Sequence, residues 1–289
     1  MLEILWDSLA DAFIDSLKLI LFLFVTYLVM EWIERRTEHK QTEHIMKAGR
    51  VGPLAGGIMG VVPQCGFSVA AANLYTGGVI SVGTLLAVFL STSDEMLPIF
   101  ISEKVALGTV LKILGTKAVI AILTGFLVDA VIRMTGYKDK HDKHIHEICE
   151  EEHCHCEDGI FKSAVMHTLK ITLFIFAISA ILNIIIEIVG EDAFKNIFSD
   201  TPVLAEALAA LVGLIPNCSA SVLITELYLE GILNAGAMMS GLLVSAGVGV
   251  MVLFRMNRHH IMENLKVLGI LYLSGLAWGI IINAASVTF

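Results

Sequence analysis

The sequence predicts an all-α polytopic integral membrane protein built as two inverted repeats, each with a Pro-interrupted hairpin, about 8–10 membrane segments in all. One observation behind this is composition. Apolar residues make up 56% of the 289-residue chain and charged ones 16%, and the mean hydropathy is +0.79. Runs such as 17–32, 118–132 and 171–186 hold almost no charge and approach the length that crosses a ~30 Å hydrocarbon core. A soluble domain would alternate apolar and polar faces far more often.

The second observation is an internal duplication. Gly60-Val61-Val62-Pro63-Gln64-Cys65 is matched by Gly213-Leu214-Ile215-Pro216-Asn217-Cys218. Without gaps the match continues through Ser68/Ser221, Val69/Val222, Leu74/Leu227, Tyr75/Tyr228, Gly78/Gly231, Gly83/Gly236 and Leu90/Leu243, so ten of 31 positions are identical. Composition alone gives roughly two or three. Interrupted apolar segments at matching places in two halves point to the substrate site of a transporter.

In order along the chain, the first half (1–137) offers a helix near 10–33, the Pro-Gln-Cys element at 53–76, a segment at 79–101 and a helix within 105–136. A linker rich in His, Cys and acids follows at 138–160, and the second half (161–289) offers 163–186, 203–230, 235–254 and 262–288. The first residues, Met1-Leu2-Glu3-Ile4-Leu5-Trp6-Asp7, are acidic and lack a basic n-region, so the first helix is expected to be retained. Arg35, Arg36, Lys40, Lys47 and Arg50 place the loop after it in the cytoplasm. If the Pro-x-Cys elements double back, the loops bearing Lys138, Lys140 and Lys143, and Arg255 and Arg258, share that side, and the loop with Lys195 lies opposite. Single crossings put Lys138, Lys140 and Lys143 on the wrong face. Doubling back gives five elements per half, an odd number that inverts the halves.

Pro63 and Pro216 remove backbone donors and free carbonyls, with Gly60 and Gly213 beside them as further breakers. Freed peptide groups at membrane depth are tolerated only where buried in protein or lining a cavity. Gln64 and Asn217 could satisfy them or bind a ligand. The plainer reading, a structural kink with a capping amide, leaves the recurring thiols Cys65 and Cys218 unexplained.

The copies diverge at Ser91-Thr92-Ser93-Asp94-Glu95-Met96-Leu97-Pro98, which aligns with Val244-Ser245-Ala246-Gly247-Val248. Asp94 and Glu95 are expensive at bilayer depth unless paired, protonated or metal-bound; alternatively they cap a short helix at the interface. The candidate intramembrane site is therefore Cys65, Cys218, Asp94, Glu95, Gln64, Asn217, Ser91 and Ser93. Thiolate with carboxylate suits zinc or borderline first-row ions better than calcium or magnesium, and manganese prefers the oxygen subset. Protons compete for such ligands, which allows exchange coupling. Lys112 and Lys117 are expected to snorkel to the outer interface, Asp129 and Arg133 to form an i,i+4 pair, Glu226 to be interfacial, and Met238, Met239 and Met251 to pack.

His141, His144, His146, Cys149, His153, Cys154, His155 and Cys156 place eight ligands in the linker. Imidazole and thiolate on a loose chain hold divalent metal; the spacing is not that of a folded zinc finger, and a solvated charged linker is the alternative. Facing the cytoplasm, this linker could collect metal before export.

The paired Pro-Gln-Cys and Pro-Asn-Cys elements, the Ser91–Glu95 stretch and the His-rich linker resemble bacterial and archaeal ten-helix heavy-metal exporters, a group labelled manganese transporters or arsenic efflux proteins and distantly similar to arsenical permeases. The resemblance implies a multi-pass plasma-membrane permease with a metal or metalloid substrate. No permanent cofactor, no nucleic-acid partner and no enzymatic activity are expected; the partners are the metal ion and the bilayer, with a homo-oligomer open. A P-loop is absent from the sequence, which disfavours ATP-driven pumping. Two rival readings stand: efflux of arsenite or an organoarsenical, and a thiol oxidoreductase cycling Cys65 and Cys218 as a disulfide.

Overall fold

The computed structural model describes residues 51–62, 65–93, 96–135, 160–189, 204–287 and 289, with isolated helical residues at 17, 20, 24, 25 and 28. All regular structure among them is helical. Helices α1 (Gly52–Met59), α2 (Gly66–Thr76), α3 (Val82–Ser91), α4 (Met96–Ser102) and α5 (Leu107–Met134) form the first half. After α6 (Ile160–Val189) come α7 (Ala205–Gly213), α8 (Cys218–Leu229), α9 (Ala235–Val244), α10 (Val248–Met256) and α11 (Ile261–Ala284). Four stretches, Val82–Ser102, Leu107–Met134, Ala235–Met256 and Ile261–Ala284, are long and apolar enough to cross a membrane.

Burial sorts these helices into layers. Every residue of α3 is buried, as is nearly all of α9, so these two apolar helices form the centre. Around them α5 and α11 present large apolar side chains outward, including Leu111, Leu123 and Leu127, and Leu265, Leu273 and Ile280. Outward leucines on helices this apolar are what lipid contact requires.

The two halves repeat the same contacts. In the first, α1 and α5 both pack on α3; in the second, α7 and α11 both pack on α9. Gly78 and Gly231 share left-handed backbone, with φ of 71° and 76°, and close α2 and α8 with equivalent bonds, Val79 N–H to Leu74 O and Ile232 N–H to Leu227 O. Only glycine enters that conformation without cost. Ser81 then caps α3 by accepting from Thr84 N–H, and Asn234 caps α9 by accepting from Ala237 N–H.

Glycine contacts give the direction of each hairpin. The start of α1, Gly52, abuts Thr84 near the start of α3, and its end, Gly60, abuts Val88 and Ser91 near the end of α3. α1 therefore runs parallel to α3. α2 must carry the chain back to the start of α3, so the Pro-x-Cys element doubles back and does not run straight on. In the second half Glu206, at the start of α7, meets Asn234, and Gly213, at its end, abuts Gly241, which repeats the geometry. Gly60 and Gly213 thus act first as close-approach residues, each at the end of a helix, and the break follows them.

The halves interlock: α2 packs on α10, α8 on α4, and α3 on α9. Side chains at Gly83 or Gly236 have no room, because a Cβ would strike the Gly125 carbonyl and Asp129, or the Gly279 carbonyl and Asn283. Gly83→Ala and Gly236→Ala are each expected to cost about 1–3 kcal/mol and to lower the thermal unfolding midpoint in detergent. Gly115→Ala, whose Cβ meets nothing within 4 Å, should leave the midpoint unchanged or raise it.

Candidate functional site

The duplicated thiols meet. Cys65 at the N-cap of α2 and Cys218 at the first turn of α8 come from different halves, 153 residues apart, and their sulfurs lie 3.4 Å from each other. The local chain explains the placement. In the second half α7 ends at Gly213, the turn through Pro216 carries a tight Asn217 N–H to Ile215 O bond of 2.7 Å, and α8 begins at once. Ser68 Oγ donates to the Cys65 carbonyl and Ser221 Oγ to the Cys218 carbonyl, both at 2.8 Å. The repeated serines therefore hold the peptide groups at the breaks. Asn217 is buried in extended backbone, and its amide does not cap α8.

A small cavity adjoins the thiol pair. Cys218 and Ser221 line it from α8, Thr92, Ser93 and Met96 from the first half's second break, Ser245 and Gly247 from the second half's, and Leu242 and Lys117 complete it. Its free volume is about 10 Å³, room for one water or one bare ion. Of the predicted hydroxyls, Ser93 faces the cavity and donates to the Ser91 carbonyl at 3.0 Å. Ser91 turns back on α3, donating to the Ala87 and Val88 carbonyls at 2.8 and 3.1 Å.

Several expected ligands fall outside the described residues: Pro63, Gln64, Asp94, Glu95 and the linker ligands His141, His144, His146, Cys149, His153, Cys154, His155 and Cys156. Among the described residues no three His, Cys, Asp or Glu side chains gather into a metal-binding group.

Lys117 corrects the sequence reading. It is 1% exposed and does not snorkel; its ammonium donates to the Thr92 carbonyl and, at 2.9 Å, to the Leu242 carbonyl. Lys117 lies ten residues into the 28-residue α5, about 15 Å from its start and about 25 Å from its end at 1.5 Å per residue, too deep for its stem to reach water. Lys112, by contrast, is exposed.

Asp129 also departs from expectation. It accepts from Ser81 Oγ at 2.7 Å and Gly83 N–H at 2.9 Å, so it anchors the α3 N-terminus, and no Asp129–Arg133 ion pair forms. The buried carboxylate of Glu206 was not anticipated; it accepts from Asn283 Nδ2 at 2.7 Å and Asn234 Nδ2 at 3.4 Å, the second half's counterpart of that anchor. Glu226 is half-buried near the end of α8, and Met238, Met239 and Met251 pack in the core as expected. Met96, wholly buried, adds a thioether to the cavity wall.

Two doubled-back hairpins whose thiols meet beside a buried polar cavity, inside a lipid-facing apolar shell, define a polytopic membrane transporter. A family model described as "Putative, 10TM heavy-metal exporter" matches residues 1–155 and again 134–251, and the chain belongs to that family. No curated protein and no solved structure matches it.

Mild oxidation should join Cys65 to Cys218 in a variant whose Cys149, Cys154 and Cys156 are serine. After protease cleavage in the linker, the halves are expected to stay together on a non-reducing gel; halves that separate would show that the thiols do not meet. Asp129→Ala is expected to cost about 1–3 kcal/mol by orphaning the α3 N-terminus, while Arg133→Ala should stay within about 0.5 kcal/mol, both read from thermal unfolding in detergent.

Proposed function

We propose that this chain is a secondary-active exporter of soft or borderline divalent ions, zinc and its neighbours, with the Cys65–Cys218 pair as the substrate-binding core. The observation behind this is the convergence of two duplicated thiols at 3.4 Å. One ion bound by two sulfurs this close has bent geometry open on its other side, and Ser93, Ser221, Ser245 and Met96 line the adjoining cavity. A donor set weighted to sulfur favours zinc over manganese. Asp94 and Glu95 follow Ser93 directly in the chain, and in this reading they add the oxygen ligands that would admit manganese. Gln64 and Asn217, each directly before a thiol in the chain, would in this reading satisfy the broken backbone or add neutral donors to the ion.

Transport follows from the duplication. If the halves are inverted, the breaks meet near the bilayer midplane, and rocking one half against the other exposes the pair to each side in turn. The packing of α2 along α10 supports inversion, since both leave the central break and would head for the same face. Thiols must lose protons to bind metal, so protons taken up as the ion leaves would couple export to the proton gradient. The plasma membrane, with the 138–160 linker in the cytoplasm as a metal-collecting segment, completes the proposal.

Arsenite is the second reading, favoured by the same thiol pair, because trivalent arsenic binds sulfur and needs no imidazole or carboxylate. A cavity near 10 Å³ disfavours an organoarsenical in this conformation. Thiol oxidoreductase chemistry has its sulfurs adjacent but no Cys-x-x-Cys partner motif in the chain.

The test is flux into liposomes holding purified full-length protein, with zinc, cadmium, manganese and arsenite offered in turn under a proton gradient. Zinc or cadmium should move, and Cys65→Ser/Cys218→Ser should cut the flux to background. Asp94→Asn/Glu95→Gln should reduce manganese more than cadmium. Movement of arsenite alone would replace the divalent-ion reading with the metalloid one.

A further inference from the structure

Lys117 sits where a cation would. Its ammonium is held by two main-chain carbonyls from different halves, Thr92 at the C-cap of α3 and Leu242 near the C-terminus of α9. Carbonyls at the ends of half-helices carry partial negative charge, and in transporters with broken helices such ends coordinate ions. The same cavity wall holds Cys218, whose sulfur touches that of Cys65. We propose that the Thr92 and Leu242 carbonyls are a cation subsite of the transport pathway, occupied in the ion-free protein by the Lys117 ammonium, which a substrate cation must displace. This inference rests on the thiol-pair reading above.

Charge enforces the exchange. Lys117 itself lines the ion-sized cavity, and two positive charges this close in a poorly polarisable interior repel strongly. Ion and ammonium therefore do not occupy it together. Displacement is feasible because lysine carries its charge on a flexible four-carbon stem. The device is also one-sided. Gly125 and Gly279 make matching contacts with Gly83 and Gly236, a spacing of 154, and that register places the fully buried Leu271 opposite Lys117. A leucine there cannot compete with a cation. A tethered competitor lets the thiols bind metal tightly yet release it, since the returning ammonium displaces the ion, and an exporter needs both properties.

The experiment measures Cd²⁺ affinity of the full-length protein in detergent, by calorimetry and by the ultraviolet absorption of the cadmium–thiolate bond, together with Cd²⁺ turnover in liposomes. Lys117→Gln and Lys117→Met remove the competitor; each should bind Cd²⁺ about tenfold more tightly and turn over more slowly. Lys117→Arg keeps the charge and should bind no more tightly than the unaltered protein. A merely structural lysine predicts the opposite, with Gln and Met weakening binding at least as much as Arg, or no change in affinity; either result overturns the proposal. Should the neutral variants fail to fold, labelling of the unaltered protein by a small membrane-permeant amine reagent decides. Saturating Cd²⁺ should change Lys117 modification several-fold relative to Lys112, and an unchanged ratio overturns the proposal. Failure of Cys65→Ser/Cys218→Ser to weaken Cd²⁺ binding would instead sink the thiol-pair reading, so the two failures are told apart.

Discussion

A backbone broken inside a bilayer must find partners for its peptide groups within the protein, because hydrocarbon supplies none. Each unsatisfied group costs several kcal/mol, and among the described residues the two hairpins and the helices that follow them break after Gly60 and Gly213 and after Ser91 and Val244. The breaks are gathered together, and local hydroxyls cover them. Ser68 and Ser221 bond the carbonyls at Cys65 and Cys218. Thr92 and Ser93 turn their hydroxyls onto the Val88 and Ser91 carbonyls. Lys117 covers two more. The same concentration of polar groups that keeps broken helices stable is what the proposed binding site would draw on.

Gathering the breaks requires helices to approach closely, which is why glycines recur at the contacts. Gly83 against Gly125 and Gly236 against Gly279 bring α5 and α11 onto α3 and α9 at backbone distance, as small residues do in membrane helix pairs. Each approach is anchored by a buried polar group, Asp129 at the Ser81 cap and Glu206 with Asn283 at the Asn234 cap. The halves reach equivalent geometry with different chemistry. Between the halves, Trp278 Nε1 also donates to Thr124 Oγ1 at 3.0 Å, residues that match in the 154 register, so this bond, like the Cys65–Cys218 contact, joins equivalent positions of the two copies.

Much of this was legible in the sequence. The duplication of Pro63-Gln64-Cys65 in Pro216-Asn217-Cys218 gave the repeat, and positive-inside counting favoured hairpins that double back, the arrangement the Gly52–Thr84 and Gly60–Ser91 contacts require. The meeting of Cys65 and Cys218 was implied by their equivalence but not their 3.4 Å approach, which depends on tertiary packing. Two things were misread for physical reasons. Lys117 was treated by the general habit of lysines in apolar helices, although its depth in a 28-residue helix already ruled out reaching an interface. Ser245–Gly247 lacks proline and acid and so passed for continuous helix; its alignment with Thr92-Ser93-Asp94 was the available signal, and Gly247, at φ 54°, breaks the helix by conformation alone. Glu206 and Asp129 were hidden because capping partners far apart in sequence leave no local pattern.

Duplication supplies two equivalent hairpins, and the halves differ at their central breaks. In one contact between the halves α2 and α10 are pressed together, such that a Cβ added at Gly249 would lie only 2.7 Å from Ser68 Cβ. The matching pair on the other side, Met96 and Ser221, stands apart far enough to line the cavity. A bulky thioether thus stands where the partner copy has glycine, and α8 packs less extensively on α4 than α2 does on α10. The charged residues likewise lack counterparts in the other half, Lys117 matching Leu271 in the 154 register and Asp94 matching Gly247 in the ungapped sequence register. A symmetric scaffold by itself would sit with equal ease in either orientation. On the proposed reading, steric and electrostatic asymmetry at the central breaks would bias that equilibrium at the proposed ion site, so that occupancy and the choice of open side would be governed by the same few residues.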